Sequence, residues 1–182
     1  MPFLAYHDTM FPGKQIDPPR RSFLLFAPRE RCYGHALDDN NCPRNRHYLQ
    51  ALQEWTGTFR EFDDNHTFEY YFDQILFRGM YPFVPSVIID DARVYESHAI
   101  ECHMSLQVAG PAIAPEYNMI LFSRTAWEAG LTAEQFYDEL DVKMGATGAW
   151  RDYLRRRADV FADALRFCYH DLDVYLDYRW LP

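Results

Sequence analysis

Short apolar runs and helical stripes alternate along this chain, and the alternation outlines its elements. Phe3 to Asp8 (FLAYHD) has the length and composition of a short strand. The stretch MFPGKQIDPPRR that follows is too rich in proline for a long helix. Ser22 to Pro28 (SFLLFAP) is a continuous apolar run of strand length, the pattern of a strand buried on both faces. Pro43 suits the first turn of a helix, with Asn41 or Cys42 as its cap. Tyr48, Leu52 and Trp55 then recur as one apolar stripe, and Gly57 is the expected stop. Thr67 to Asp73 (TFEYYFD) predicts an aromatic-rich strand, and FRGMYPFVP a loop. Ile88, Ala92 and Tyr95 mark a helix that begins near Ser86. Between Ile100 and Gly110, Met104, Leu106 and Val108 alternate with His103, Ser105 and Gln107, which predicts a strand with one apolar and one polar face. The remainder reads as helical. One helix covers about Tyr117 to Glu128, and a second opens with the capping box Thr132-x-x-Gln135 and carries Phe136 and Leu140. A long one covers about Trp150 to His170, with Leu154, Ala158, Phe161, Leu165 and Cys168 on one face.

Four strands separated by crossovers, most of them helical, indicate an α/β fold with a parallel sheet. The glycine-rich turn of a dinucleotide fold is absent, and so is a phosphate-binding loop. A doubly wound sheet without a nucleotide fingerprint and a partial (β/α)8 (TIM-type) barrel both fit. The polar strand ends favour the barrel, because barrel enzymes gather their chemistry at the carboxyl ends of their strands. The first strand ends in His7 and Asp8, and the second near Arg29 and Glu30. The third carries Glu69 and ends at Asp73, and the fourth presents His103, Ser105 and Gln107. A complete barrel takes about 250 residues. Four strands make half of one, so the expectation is a single domain with a half-barrel over about residues 1–130 and C-terminal helices over about 131–182.

With 182 residues, 48% of them hydrophobic and 17% aromatic, the chain has ample material for a packed core, which argues against disorder. The net charge of −9 argues against nucleic-acid binding, which needs a basic face. The one basic run, RDYLRRR, is read as the solvated face of a helix. No stretch approaches the roughly 20 apolar residues of a membrane helix. MPFLAYHDTM lacks the pattern of a signal peptide, so a cytoplasmic location is expected. The four cysteines are too few and too scattered for a disulfide framework.

The densest chemistry lies in RERCYGHALDDNNCPRNRHY, Arg29 to Tyr48. Cys32-x2-His35-x6-Cys42-x4-His47 has acceptable metal spacing within each pair, but its short central gap is unlike a zinc finger. A Cys32–Cys42 disulfide and two packed thiols are the other readings of the cysteines. The preferred reading of the stretch is the rim of a cleft, since it follows a strand at the end where a barrel places function. On that reading Arg29, Glu30, Arg31 and His35 gather at the rim, Asp38, Asp39 and Asn45 shape the turn into the helix, and no metal or cofactor is assigned.

Four stretches, LAYHDT, APRERCYGHALDDNNCPRNRHYLQAL, EYYFDQILFRGM and NMILFSRTAWEAGLTAEQFYDEL, resemble in this order a bacterial family of unknown function grouped with glycoside hydrolases and similar to α-glucuronidases. The resemblance implies the second half of a (β/α)8 barrel, with the first half supplied upstream in longer members. It also implies carbohydrate binding or hydrolysis, a uronate being one candidate ligand. Glycoside hydrolysis uses two carboxyl groups. Asp8, Glu30, Glu69 and Asp73 stand near strand ends, and Glu30 with Asp73 is the favoured pair. His7, Arg29, Arg31, His35, Tyr70, Tyr71, Arg78 and Gln107 are the expected substrate-binding residues, with Phe72 and Tyr81 as further rings for sugar faces. A non-catalytic carbohydrate-binding remnant and a small zinc-binding protein stand as alternatives. An open half-barrel exposes strand edges, so a homodimer or a missing N-terminal half is expected to complete it.

Overall fold

The computed structural model describes residues 1–14, 18–19, 21–59, 64–73, 75–77, 81–107 and 116–166. The expectations placed on Arg78, Val108, Cys168 and His170 lie outside the described residues. Four strands, β1 (Pro2–Ala5), β2 (Phe23–Phe26), β3 (Asn65–Phe72) and β4 (Ile100–Gln107), form one sheet in the order β1-β2-β3-β4. Every neighbouring pair is parallel, with Leu4 beside Leu25, Leu25 beside His66 and Phe68 beside Met104. Helix α1 (Pro43–Thr58) links β2 to β3, and α2 (Pro85–Ser97) links β3 to β4. Three more helices follow: α3 (Glu116–Thr125), α4 (Ala133–Lys143) and α5 (Ala149–Arg166). The chain is thus an α/β protein with a parallel sheet.

The first strand is shorter than its sequence suggests. After Ala5 the chain turns into a 3-10 helix over His7–Thr9. The Thr9 hydroxyl donates to the Leu4 carbonyl at 2.8 Å and accepts from the Tyr6 N–H at 3.1 Å, which folds the chain back and stops the strand. His7 there adopts φ 44°, a left-handed conformation uncommon outside glycine.

Among the described residues the two faces of the sheet are covered unequally. Leu24, Phe26, Thr67 and Glu69 are fully buried, and Leu24 and Phe26 share a core with Leu52 and Trp55 of α1. Phe23, Leu25, His66 and Phe68 alternate with them and are half-buried, while Leu4 is 47% exposed. The doubly buried strand expected for Ser22 to Pro28 is therefore buried on one face only. Its apolar run fits the other face as well, because that face is lined by further apolar and aromatic side chains.

Gly57 does not stop α1. The helix continues to Thr58 and ends at Phe59, which is fully buried against the rings of Phe3 and Trp55. Burying that ring outweighs the glycine's preference for a terminus. In α4 the capping box is present as read: Thr132 Oγ1 accepts from the Gln135 N–H at 3.2 Å, and Gln135 Oε1 accepts from the Thr132 N–H at 2.9 Å. Asp141 of α4 accepts from the backbone N–H groups of Gly148, Trp150 and Arg151, tying α4 to the start of α5. Among the described residues no helix is long and apolar enough to cross a membrane.

Candidate functional site at the carboxyl ends of the strands

Parallel strands end on one side of a sheet, so the residues just after β1, β2 and β3 meet there. His7 follows β1, Arg29 and Glu30 follow β2, and Asp73 follows β3. Arg29 leans across to Asp73: its Nε and Nη2 lie 3.2 and 3.1 Å from Asp73 Oδ2. Its Nη1 lies 4.0 Å from Glu30 Oε1, and its guanidinium carbon is 5.8 Å from the centre of the Tyr70 ring. His7 Nδ1 approaches Glu30 Oε1 to 3.3 Å from the other side. Tyr48 of α1 reaches Glu30 Oε2 at 3.5 Å, and Tyr6 stacks on Tyr70. Burial, with Tyr6 beside it, pushes the Tyr70 phenol up.

The two carboxylates of the favoured pair differ in what they have left to offer. Asp73 is 1% exposed at its side chain, and its Oδ1 accepts from the N–H groups of Ile75 and Leu76 while Oδ2 holds Arg29. Asp73 therefore pins the loop after β3 and orients Arg29. Glu30 is less engaged. Its Oε1 is buried and has no hydrogen-bond partner among the described residues, although His7 and Arg29 are both near. Buried carboxylate oxygens rarely go unmatched, so this atom is poised for an incoming donor.

Three other expected site residues, Arg31, Glu69 and Tyr71, lie in a sealed network between the sheet and its helices. Arg31, Glu69 and Asp91 are all 0% exposed. Arg31 pairs with Asp91 and, at 3.1 Å, with Glu69. Tyr71 donates to Asp91 at 2.7 Å, Tyr33 donates to Glu69 at 2.8 Å, and Tyr95 also bonds Glu69. Leu37 N–H donates to Asp91 Oδ1 at 2.7 Å. Burial, and then Glu69 across the guanidinium, push the Asp91 carboxyl up to about 7 against the opposing pull of Arg31. The two carboxylates hold Arg31 charged despite its burial. Arg31, Glu69 and Tyr71 thus bind the layers together rather than line the rim. Asp91 and Tyr95 were not read as polar partners from the sequence; the only signal was a lone Asp on the face of a helix that also carries Ile88 and Tyr95. Asp8 is exposed on the 3-10 turn, and Gln107 is exposed at the end of β4.

No family model, no curated protein and no solved structure matches this chain. The site is therefore read from its own geometry.

His35 faces away from the rim residues, into a second cluster. Its Nδ1 lies 3.3 Å from Cys32 Sγ, and with Cys42 Sγ these ligand-type atoms all fall within 4.8 Å of one another. Cys32 and Cys42 are thiols, buried to 0% and 1% exposure. The Cys42 sulfur beside it, together with burial, pushes the Cys32 thiol up. His47 stands apart, with its ring 4.7 Å from that of Phe11. Elsewhere, a groove of about 730 Å³ between α2, the start of β4 and the turn after α3 is lined by Arg93, Glu96, Cys102, His103 and the exposed Trp127. None of the rim residues lines it.

Proposed function

We propose that this chain is half of a (β/α)8 barrel of glycoside-hydrolase type that binds a carbohydrate at the carboxyl ends of β1, β2 and β3. Two features of the sheet support the barrel. Its order is strictly sequential, without the reversal of a doubly wound sheet, and α1 and α2 cover one face while Leu4, Phe23, Leu25 and Phe68 on the other stay partly exposed. The observation that carries the site is the buried, unmatched Glu30 Oε1, flanked by His7 and Arg29 beside the Tyr6–Tyr70 stack. A sugar hydroxyl is a donor of the right kind for that oxygen, and the half-buried Tyr6 ring, backed by the buried Tyr70, is a natural partner for a sugar face.

Within this reading Glu30 acts on the substrate as base or nucleophile, and Arg29, held by Asp73, sets its position. Asp73 has both oxygens committed, so the second carboxyl that hydrolysis needs comes from whatever completes the barrel. A second copy of the chain is the simplest completion. The edges β1 and β4 and the partly exposed apolar face around Leu4 would meet their counterparts about a two-fold axis.

Calorimetric titration with neutral and uronate-containing oligosaccharides tests the proposal. Saturable binding is expected for the wild type, weakened at least about tenfold in Tyr70→Ala and in Glu30→Gln. No binding across the panel, or binding that both variants leave untouched, would remove the carbohydrate reading.

A further inference from the structure

The second cluster is built differently from the rim. The loop from Cys32 to Ala36 is wrapped around one buried side chain, Asn45 in the first turn of α1. Asn45 Oδ1 accepts from the Cys32 N–H at 2.8 Å. Its Nδ2, with two hydrogens to share, lies 2.9, 3.0 and 2.8 Å from the carbonyl oxygens of Cys32, His35 and Ala36. Arg31 Nη1 adds weaker contacts to the carbonyls of Cys32 and His35. These bonds fix the loop backbone and turn the Cys32 and His35 side chains toward each other. Cys42 is the N-cap residue of α1, and its sulfur completes the cluster with Cys32 and His35.

We propose that Cys32, His35 and Cys42 form a zinc site with three protein ligands and one position open to water. The donor set is the one zinc prefers: two thiolate sulfurs and an imidazole nitrogen, with Cys32 and His35 three residues apart on a tight turn. Its size fits as well. Tetrahedral zinc with Zn–S near 2.3 Å and Zn–N near 2.0 Å places neighbouring ligand atoms about 3.5–3.8 Å apart. Here Sγ of Cys32 and Nδ1 of His35 are 3.3 Å apart, and all three ligand atoms lie within 4.8 Å of one another. Small side-chain adjustments bring them onto one ion. Binding releases the thiol protons to solvent as the sulfurs become thiolates. A disulfide between the two cysteines has no use for the imidazole aimed at Cys32, which is why zinc is the better account of the cluster. The site is independent of the carbohydrate reading, since the loop it fixes is the same whether or not the rim binds sugar.

The full chain, reduced and stripped with a chelator, is titrated with Co2+ and then with Zn2+. The expected result is one Co2+ per chain, with the thiolate charge-transfer and visible bands of a tetrahedral site, displaced by one Zn2+. Cys32→Ser and Cys42→Ser are expected to abolish the charge-transfer bands, and His35→Ala to lower affinity at least about tenfold. His47→Ala is expected to bind as wild type does. If the buried cysteine variants fail to fold, His35→Ala decides, because its side chain is only half-buried. Clearly substoichiometric metal overturns the proposal. So does wild-type affinity in His35→Ala, or a Cys32–Cys42 disulfide in the isolated protein whose reduced form takes up no metal.

Discussion

At the scale of single residues, the same type of side chain has opposite fates in different places. Asp91 and Asp141 are both acidic residues on helices, yet their surroundings pull them in opposite directions. Burial and Glu69 raise Asp91 to about 7, above its value of about 3.9 in an unfolded chain. The folded state then holds that proton more tightly than the unfolded one. The stability this provides is complete below about pH 4 and is lost as pH rises toward 7. Urea unfolding is expected to show the wild type losing stability between pH 5 and 8, relative to Asp91→Asn. At Asp141, burial works against the charge, but the N–H groups of Gly148, Arg151 and Trp150, with Arg151, outweigh it and hold the carboxyl below its usual range. Its contribution has the opposite sign: present above about pH 4 and lost as pH falls. Arg31 is the keystone of the buried network. Arg31→Met leaves two carboxylates without their cation and is expected to cost about 3–5 kcal/mol in the same assay. The sequence marked Arg31, Glu69 and Tyr71 as polar residues near strand ends but not which way they point. In FEYYF both faces are aromatic, so no period-two contrast reveals that Glu69 and Tyr71 turn toward the helices while Tyr70 turns toward the rim.

At the scale of elements, local signals read most directly. The Thr132-x-x-Gln135 box, the helix start at Pro43 and the strand at β4 are all visible in a few consecutive residues, and all appear in the structure; Cys42 rather than Asn41 takes the N-cap position, and Cys102 to Leu106 of β4 are all half-buried, without the expected contrast between faces. Removing the α4 cap with Thr132→Ala is expected to cost about 1 kcal/mol by chemical denaturation. The loop from β2 to α1 behaves otherwise, because its shape rests on contacts spread over fourteen residues of sequence. Asn45 was legible as a turn-shaping polar residue, yet its role as the post that holds Cys32, His35 and Ala36 was not. Asn45→Ala strips from that loop the amide that accepts from the Cys32 N–H and donates to the carbonyls around it. It is expected to lower stability by about 2–3 kcal/mol and to speed proteolytic cleavage between Arg29 and Cys42, measured by limited proteolysis.

At the scale of the molecule, the parallel α/β architecture followed from the alternation of strands and helices, and the structure supplies the order of the strands. What the linear pattern did not carry is the asymmetry of the two sheet faces, since apolar residues line both. Leu4, exposed on the less covered face, tests the proposed pairing of two copies. Light scattering is expected to give the mass of two chains for the wild type and of one for Leu4→Asp; a wild-type monomer at all concentrations would remove the dimer. The sequential sheet also bears on how the protein is made. Each of β2, β3 and β4 docks beside the strand synthesised just before it, so a growing chain leaving the ribosome never has to hold a place open for a later strand. One residue breaks this rhythm. Arg31 emerges early, while Asp91, one of its two buried carboxylate partners, follows sixty residues later on α2. Until then its charge has to stay wet, and the arrival of α2 is what lets the nascent domain shut.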